Sequence, residues 1–121
     1  MGTPYEIDTS DKILFIEEVG EEPQVLDRYL TQLDNAGKIE VWREIVFDGM
    51  TSVHPQDYKP GYYSTLSKEE IILDRLEKYD IPTCIGLSLG HIANKPTLPL
   101  GLKCRLDADK GKLTIPENAV V

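Results

Sequence analysis

The strongest constraint on the fold is the stretch from residue 86 to residue 101, which fits neither a helix nor a central strand. It contains three glycines and two prolines, residues that interrupt regular backbone hydrogen bonding. Its aliphatic residues are nevertheless too apolar for a solvated loop; they are Leu87, Leu89, Ile92, Leu98 and Leu100. The stretch therefore predicts a packed, irregular loop. It holds His91, one of only two histidines in the chain, and such loops often position functional side chains.

Three apolar segments predict the strands of a parallel sheet. Residues 13–16 form a continuous apolar run that stops at Glu17, which is typical of a strand buried on both faces. Residues 42–47 predict the second strand and residues 81–87 the third. A helical pattern lies between each pair of strands. Two successive strand-helix-strand units with right-handed crossovers give a small parallel sheet.

Both helices have recognisable ends. The first begins near Pro23 and ends at Gly37, where a left-handed cap belongs. Its apolar face is predicted to contain Val25, Leu26, Tyr29, Leu30 and Leu33. The second begins at Ser67, which forms a capping box with Glu70. Its apolar face is predicted to contain Ile72, Leu73, Leu76 and Tyr79.

The last part of the chain predicts an antiparallel hairpin. Apolar and polar residues alternate from 102 to 107 and again from 113 to 115, and residues 109–111 form the turn between them. The tail includes a candidate edge strand at residues 120–121. The predicted fold class is therefore α/β, a small parallel sheet with two helices plus an antiparallel hairpin.

Composition limits the partners and the compartment. The 121 residues predict one domain, from 12 to 121, preceded by a leader or severed linker at 1–11. The net charge is −8 and no cluster of Lys or Arg interrupts it, which argues against nucleic acid and anionic membranes. Cys84 and Cys104 lie in apolar runs and are predicted to be buried, reduced thiols. With no apolar run of about 20 residues, we predict a cytoplasmic protein.

The segment from 50 to 65 is predicted to be a long loop. It has no period and contains Tyr58, Tyr62 and Tyr63, which would either line a ligand site or simply pack within the loop. His54 lies in the same polar segment and is predicted to be solvated. Two isolated histidines and no cysteine pair at ligand spacing predict no metal site, and we expect no cofactor.

The acidic residues at the strand ends point to one edge of the sheet. Glu17 and Glu18 follow the first strand, Asp48 follows the second, and His91 follows the third. Ligands of open parallel sheets bind beyond the carboxyl ends of the strands. A carboxylate beside a histidine is the orienting half of a hydrolytic triad. On the sequence alone, His91 is either a structural loop residue or a base, and no nucleophile accompanies it.

One motif resembles a nucleophile elbow, but its context argues against that function. Gly86-Leu87-Ser88-Leu89-Gly90 matches the G-x-S-x-G pattern after a predicted strand. An elbow requires a helix directly after its serine, and Pro96 and Pro99 prevent one. His91 is also only three residues from Ser88, whereas the usual chain order places a carboxylate between them. We therefore predict that Ser88 is not a nucleophile.

Six segments, in the right order, resemble the murein LD-carboxypeptidases, the family that also includes the microcin C immunity peptidases. They are ILFIEEVGE (13–21), LDRYLTQL (26–33), IVF (45–47), GH (90–91), TLPLG (97–101) and RLDAD (105–109). The resemblance spans nearly the whole chain but covers only the C-terminal half of the family's enzymes. It implies a swivelling β/β/α-type three-layer domain. Two features depart from the family, namely Ile92-Ala93 after the histidine and the length of the 50–65 loop.

The resemblance also implies site residues and a partner. The family's enzymes are serine peptidases with a Ser-Glu-His triad, whose serine lies on an elbow in an N-terminal domain. The glutamate directly after the apolar strand is Glu17 in this chain, and the histidine of the Gly-His pair is His91. Successive strand residues point to opposite faces, so Glu17 rather than Glu18 is expected to face His91. The serine-bearing domain is absent here, as after excision, proteolysis or gene splitting.

The implied substrate is a muropeptide, cut between an L-centre of diaminopimelate or lysine and a terminal D-Ala during peptidoglycan recycling. An alternative within the same chemistry is a microcin C-type immunity peptidase, which hydrolyses a peptidyl-nucleotide. The alternative from another class is a non-catalytic module that retains the fold. Without the missing domain we expect this segment to be inactive. We also expect an apolar patch of Leu87, Leu89 and Ile92 to favour a homodimer.

Overall fold

The structure, a computed structural model, describes residues 1–53 and 66–120. Its strands and helices follow the predicted order. They are β1 (Ile13–Ile16), α1 (Pro23–Asn35), β2 (Glu44–Asp48), α2 (Lys68–Leu76), β3 (Thr83–Leu87), β4 (Arg105–Asp107) and β5 (Lys112–Thr114). Strands β1, β2 and β3 form a parallel sheet with β2 in the centre, and β4 pairs with β5 in an antiparallel hairpin. The predicted α/β class is confirmed.

The central strand separates two apolar cores. Successive strand residues point to opposite faces of a sheet. Ile45 and Phe47 accordingly belong to the core that contains the buried residues of α1 and α2, while Val46 belongs to a smaller core with Leu106 of the hairpin. Leu113 packs against that smaller core. The domain therefore has three layers, with the helices on one face of the parallel sheet and the hairpin on the other.

The start of each helix and the end of α1 are as predicted, whereas Tyr79, predicted on the apolar face of α2, lies in a 3-10 turn after that helix. Pro23 occupies the first turn of α1, and Gly37 follows the helix with a φ of +64°, the left-handed conformation that glycine adopts without steric cost. In α2 the Ser67 side chain accepts from the Glu70 amide, and the Glu70 carboxylate accepts from the Ser67 amide. The capping box thus satisfies two amides that have no partner within the helix.

The starts of β2 and β3 were predicted too early in the chain. Residues 42 and 43 precede β2, because the Trp42 amide donates to the Ile39 carbonyl and closes a single 3-10 turn at Ile39–Val41. The chain before β3 follows a second 3-10 turn at Glu77–Tyr79, which ends at Asp80 with a φ of +50°. Both strands therefore begin after a tight turn that has no strong sequence signal.

Several burial predictions were wrong. Leu73 is 63% exposed, and the buried residues of α2 are Ile71, Ile72 and Leu76, since the helix presents Ile71 rather than Leu73 to the sheet. Strand β1 is half-buried, because it lies at the sheet edge. Cys104 is exposed, whereas Cys84 is buried, and both thiols are free. Burial of part of its surface still raises the pKa of Cys104.

The tail and the first residues differ in how they join the domain. Residues 116–120 contain no strand, so the described part of the predicted edge strand is absent. Residues 6–11 contact the segment after α1. The Thr9 side chain is buried, Lys38 forms an ion pair with Glu6, and the Asp11 amide donates to the Val41 carbonyl.

The tyrosines of the long loop and His54 lie outside the described residues, so their predicted roles stay predictions. Among residues 1–53 and 66–120, no helix is both long enough and apolar enough to cross a bilayer.

The capping box of α2 gives a first prediction. Ser67→Ala should lower the free energy of unfolding by about 1 kcal/mol, because the first amides of α2 lose an acceptor. Ser88→Ala is the matched control. Ser88 is exposed, so its loss should change the unfolding free energy by less than about 0.5 kcal/mol. Urea denaturation of the three proteins measures the difference, and equal stabilities for the two variants would contradict the assignment of the cap.

Candidate active site

The candidate site lies where the three parallel strands end. Glu17 directly follows β1, and Asp48 is the last residue of β2. After β3 the chain enters an irregular segment from 88 to 104 that contains His91. This segment has neither helix nor strand, as the glycines and prolines predict up to residue 101. Residues 102–104 were predicted to belong to the hairpin, but β4 begins only at Arg105. Because the strands are parallel, residues far apart in the sequence meet at this single edge.

Glu17 and His91 are in direct contact. The distance from His91 Nδ1 to Glu17 Oε1 is 2.5 Å. An ionised carboxylate can only accept a hydrogen bond, so Nδ1 bears the proton and donates a hydrogen bond to Glu17. In the neutral ring the lone pair then lies on Nε2. The His91 side chain is 74% exposed and that of Glu17 only 24%, so the imidazole is anchored at one nitrogen and open to a reactant at the other.

The neighbouring acid points elsewhere. Glu18 Oε1 accepts from the Val19 amide at 2.8 Å and makes no contact with His91. The alternation along β1 accounts for the difference, because Phe15 packs against the hairpin-side core and Ile16 against the helix-side core. Glu17 thus continues the face on which His91 lies. The contact agrees with the expected geometry, and a catalytic role for the pair stays a prediction.

Asp48 is a buried carboxylate at the same edge, and the predicted site did not include it. Its side chain is fully buried. Oδ1 accepts from the Met50 amide at 2.8 Å, while Oδ2 has no hydrogen bond of standard geometry within the described residues. Burial raises the pKa of Asp48, and the nearby Glu17 charge adds to that effect. The Met50 and Glu18 amides and the Lys68 ammonium act in the opposite direction.

Gly90 allows Glu17 and Asp48 to approach the His91 loop. Its φ is +78°, a conformation that residues with a Cβ rarely adopt. A Cβ placed on Gly90 would lie 2.4 Å from Glu17 Cγ and 2.6 Å from Asp48 Oδ2. Both distances are far inside van der Waals contact. The position directly before the histidine therefore requires glycine for its backbone conformation and also for the space that its neighbours occupy.

A bulge shapes the end of β3 beside Asp48. Phe47 pairs with Ile85, but Asp48 pairs with Leu87, so Gly86 is an extra residue between the two pairs. Gly86 has a φ of +90°, which fits a bulge that glycine relieves of steric strain. The bulge turns the chain at the point where the loop toward His91 begins. The sequence signal for it was a glycine inside an apolar strand.

Ser88 does not have the surroundings of a nucleophile. It is exposed, and no helix follows it. Within the described chain, the only hydrogen-bonding partner of His91 is Glu17. Leu89, expected on an exposed apolar patch, is 6% exposed and belongs to the hairpin-side core. That correction removes the central residue of the patch on which the expected homodimer rested, because the loop folds back over the sheet.

Two further features lie apart from the pair. An apolar cavity of about 180 Å³ lies between the parallel sheet and the loop, lined by Phe15, Val46, Leu98 and other residues, but by none of Glu17, Asp48 or His91. In the part of the chain that the structure describes, no three His, Cys, Asp or Glu side chains form a group that could hold a metal ion.

Gly90 gives a second prediction. Gly90→Ala should lower the free energy of unfolding by at least about 2 kcal/mol more than Gly101→Ala, because the new methyl group displaces Glu17 and Asp48. Gly101 is a matched control, since its φ is +82° and nothing lies within 4 Å of a Cβ there. Its variant has the same backbone cost of about 1 kcal/mol without the clash. Chemical denaturation measures both variants, and equal losses would show that the space beside Gly90 is not tightly filled.

Comparison with known proteins identifies the chain's family. Residues 1–106 match the family described as the LD-carboxypeptidase C-terminal domain. A Bacillus subtilis (strain 168) protein named "Probable murein peptide carboxypeptidase" is 33% identical over 107 residues, which cover 88% of this chain and 32% of that protein. A Streptomyces coelicolor carboxypeptidase homologue, SCO6489, is 31% identical over 99% of this chain and 36% of its own length. The chain thus spans about one third of the length of these curated relatives.

Solved structures agree with this assignment. The muramoyltetrapeptide carboxypeptidase from Oxalobacter formigenes is 32% identical and superimposes with a TM-score of 0.69, covering 85% of this chain and 35% of that one. The microcin C7 self-immunity protein MccF in its wild-type apo state superimposes with a TM-score of 0.82 over 99% of this chain and 34% of that one, at 21% identity. The second likeness shows a shared fold. On the family match and the identity to its relatives, this chain belongs to the family of LD-carboxypeptidase C-terminal domains.

Proposed function

We propose that this chain supplies the glutamate and histidine of a Ser-Glu-His triad in a murein tetrapeptide LD-carboxypeptidase. The observation that supports this most directly is the Glu17–His91 contact, which leaves His91 Nε2 open on an exposed side chain. A base in this state lacks only a nucleophile and an oxyanion hole. In this proposal a serine-bearing N-terminal domain supplies both, and the assembled enzyme acts in the cytoplasm.

The proposed reaction follows from the roles of the two groups. His91 Nε2 takes the proton of the serine hydroxyl as the oxygen attacks the carbonyl carbon before the terminal D-Ala. Glu17 stabilises the imidazolium through Nδ1–H. The imidazolium then gives its proton to the departing amine of D-Ala, leaving an acyl-enzyme. Water, deprotonated by the same nitrogen, releases the shortened peptide and restores the serine.

The relatives support the choice of substrate class. The names of the Bacillus subtilis and Oxalobacter formigenes proteins refer to murein peptide and muramoyltetrapeptide carboxypeptidases, and both are more than 30% identical to this chain. The likeness to the microcin immunity protein, at 21% identity, supports the fold alone. The tyrosines that would favour a nucleotide ligand lie outside the described residues. We therefore prefer the muropeptide over the peptidyl-nucleotide.

The choice between Glu17 and Glu18 gives a third prediction. We expect a chimera to be active in which this chain replaces the matching C-terminal third of the Bacillus subtilis relative. In that chimera Glu17→Gln should lower kcat for D-Ala release from murein tetrapeptide by about 10²–10⁴-fold, because the imidazolium loses its anionic partner. Glu18→Gln is the matched control and should stay within about tenfold of the parent. Reversed effects would show that the other acid orients the histidine.

The same chimera tests Ser88 and the non-catalytic alternative. Ser88→Ala should retain activity within about tenfold, since no proton transfer or covalent step is assigned to Ser88. His91→Ala should abolish turnover. Full activity of the His91 variant would favour a module that retains the fold without contributing to catalysis.

A fourth prediction concerns the chain alone. Residues 1–121 should fold, because two cores and both helix caps lie within the chain, yet they should release no D-Ala, because a base without a nucleophile and an oxyanion hole has lost the main catalytic terms. The measurement is D-Ala release from murein tetrapeptide by the purified chain, with circular dichroism to verify folding. Release by the isolated chain, abolished by His91→Ala, would contradict the divided triad.

A further inference from the structure

The inference concerns Asp48, the buried carboxylate for which the proposed reaction has no use. A carboxylate that leaves water without full hydrogen bonding lowers stability, and Asp48 Oδ2 has no hydrogen bond of standard geometry in the described chain. Burial raises the pKa of Asp48, so its carboxyl group takes up a proton more readily in the folded protein than in the unfolded chain. This contribution to stability is complete below the carboxyl's unfolded pKa and is lost as the pH rises through the folded value. At neutral pH the charge of Asp48 therefore disfavours folding, which calls for a reason in function.

Asp48 lies close to Glu17. A Cβ placed on Gly90 would lie 2.4 Å from Glu17 Cγ and 2.6 Å from Asp48 Oδ2. These two atoms are therefore no more than 5.0 Å apart. The Asp48 side chain cannot turn away, because it is fully buried and Oδ1 is held by the Met50 amide. Glu17 therefore has the buried carboxylate of Asp48 close by and contacts the more exposed imidazole of His91.

Within residues 1–53 and 66–120, the charged groups that act on Asp48 come from the ends of two neighbouring elements. Glu17 at the end of β1 is the anion, and Lys68 at the start of α2 is the cation. Lys68 Nζ donates to the carbonyls of Gly49 and Met50, at 2.7 and 3.1 Å, and so lies beside the turn that holds Asp48. Together with the Met50 and Glu18 amides, it favours the ionised form.

We propose that Asp48 is a positioning residue, whose fixed negative charge directs the Glu17 carboxylate outward onto His91 Nδ1. Like charges this close repel each other, and the burial of Asp48 reduces the screening by water. The repulsion is relieved when Glu17 turns its carboxylate toward the imidazole N–H. Asp48 thereby fixes the tautomer of His91 without touching it, and Nε2 stays unprotonated in the neutral ring. The proposal rests on the proposed function only for the use made of that nitrogen.

A fifth prediction tests the proposal by ¹⁵N NMR of the imidazole in residues 1–121, at a pH where the ring is neutral. The parent chain should show His91 in the Nδ1–H tautomer. In Asp48→Asn the repulsion is lost and the new amide can donate to Glu17, which draws the carboxylate inward. More than about half of the Nδ1–H tautomer should then be lost. A His54→Gln variant of each protein assigns the signal to His91.

Glu18→Gln is the matched control, because it removes one negative charge from the adjacent residue, whose side chain turns back to the Val19 amide. It should leave the tautomer unchanged. An unchanged tautomer in a folded Asp48→Asn protein would overturn the proposal, and so would equal losses in both variants. If the parent itself lacked the Nδ1–H tautomer, the Glu17–His91 pair and the proposed triad would fail with it. Loss confined to Asp48→Asn supports the positioning role independently of any peptidase assay.

A measurement on the unmodified chain decides the matter if Asp48→Asn does not fold. Carboxyl ¹³C signals of Asp48 and Glu17 are followed as the pH is lowered. The Asp48 signal should titrate above the usual aspartate range, since its pKa is raised. The Glu17 signal should move at the same midpoint, because protonation of Asp48 removes the repulsion. A Glu17 signal that does not respond to the Asp48 titration would overturn the proposal.

Discussion

Strands β1, β2 and β3 pair in parallel, and this pairing determines where the side chains of the candidate site lie. All three strands end at one edge, and the residues that follow them are therefore neighbours, although Glu17 and His91 are 74 positions apart. A parallel sheet needs a long crossover between strands, and α1 and α2 lie in those crossovers. The same helices form the core that buries one face of the sheet. The geometry of the site is thus a direct result of chain topology.

Much of the fold could be predicted from the sequence, wherever a short pattern of residues is compatible with only one local structure. The Ser67 capping box, Gly37 and the abrupt end of the 13–16 run each specify a boundary, and the structure has all three. The 3-10 turns before β2 and β3 have no comparable signal, so both strands were predicted too long. The burial of Asp48 was missed for a different reason. An acidic residue at a strand end normally indicates solvent, and no local rule predicts that Gly90 and Glu17 pack close to Asp48.

The glycine before the histidine shows how closely the site depends on packing. Its left-handed backbone is a property of one residue, whereas the space that Glu17 and Asp48 fill depends on three separate segments of the chain. Local rules predict the first and are silent about the second. Residues whose role depends on packing between distant segments are therefore the hardest to predict from the sequence. The resemblance to the LD-carboxypeptidases indicated Glu17 and His91 themselves, because both lie in segments on which that resemblance rests.

The division of β2 between two cores has a consequence for how the domain unfolds. Ile45 and Phe47 are part of one core and Val46 of the other, so neither core can melt while the other keeps this strand in place. The hairpin layer and the helix layer are in this way joined into a single cooperative unit, although they do not share a core. We therefore expect the amide protons of β2 to be among the slowest in the domain to exchange with solvent, because opening this strand disrupts both cores.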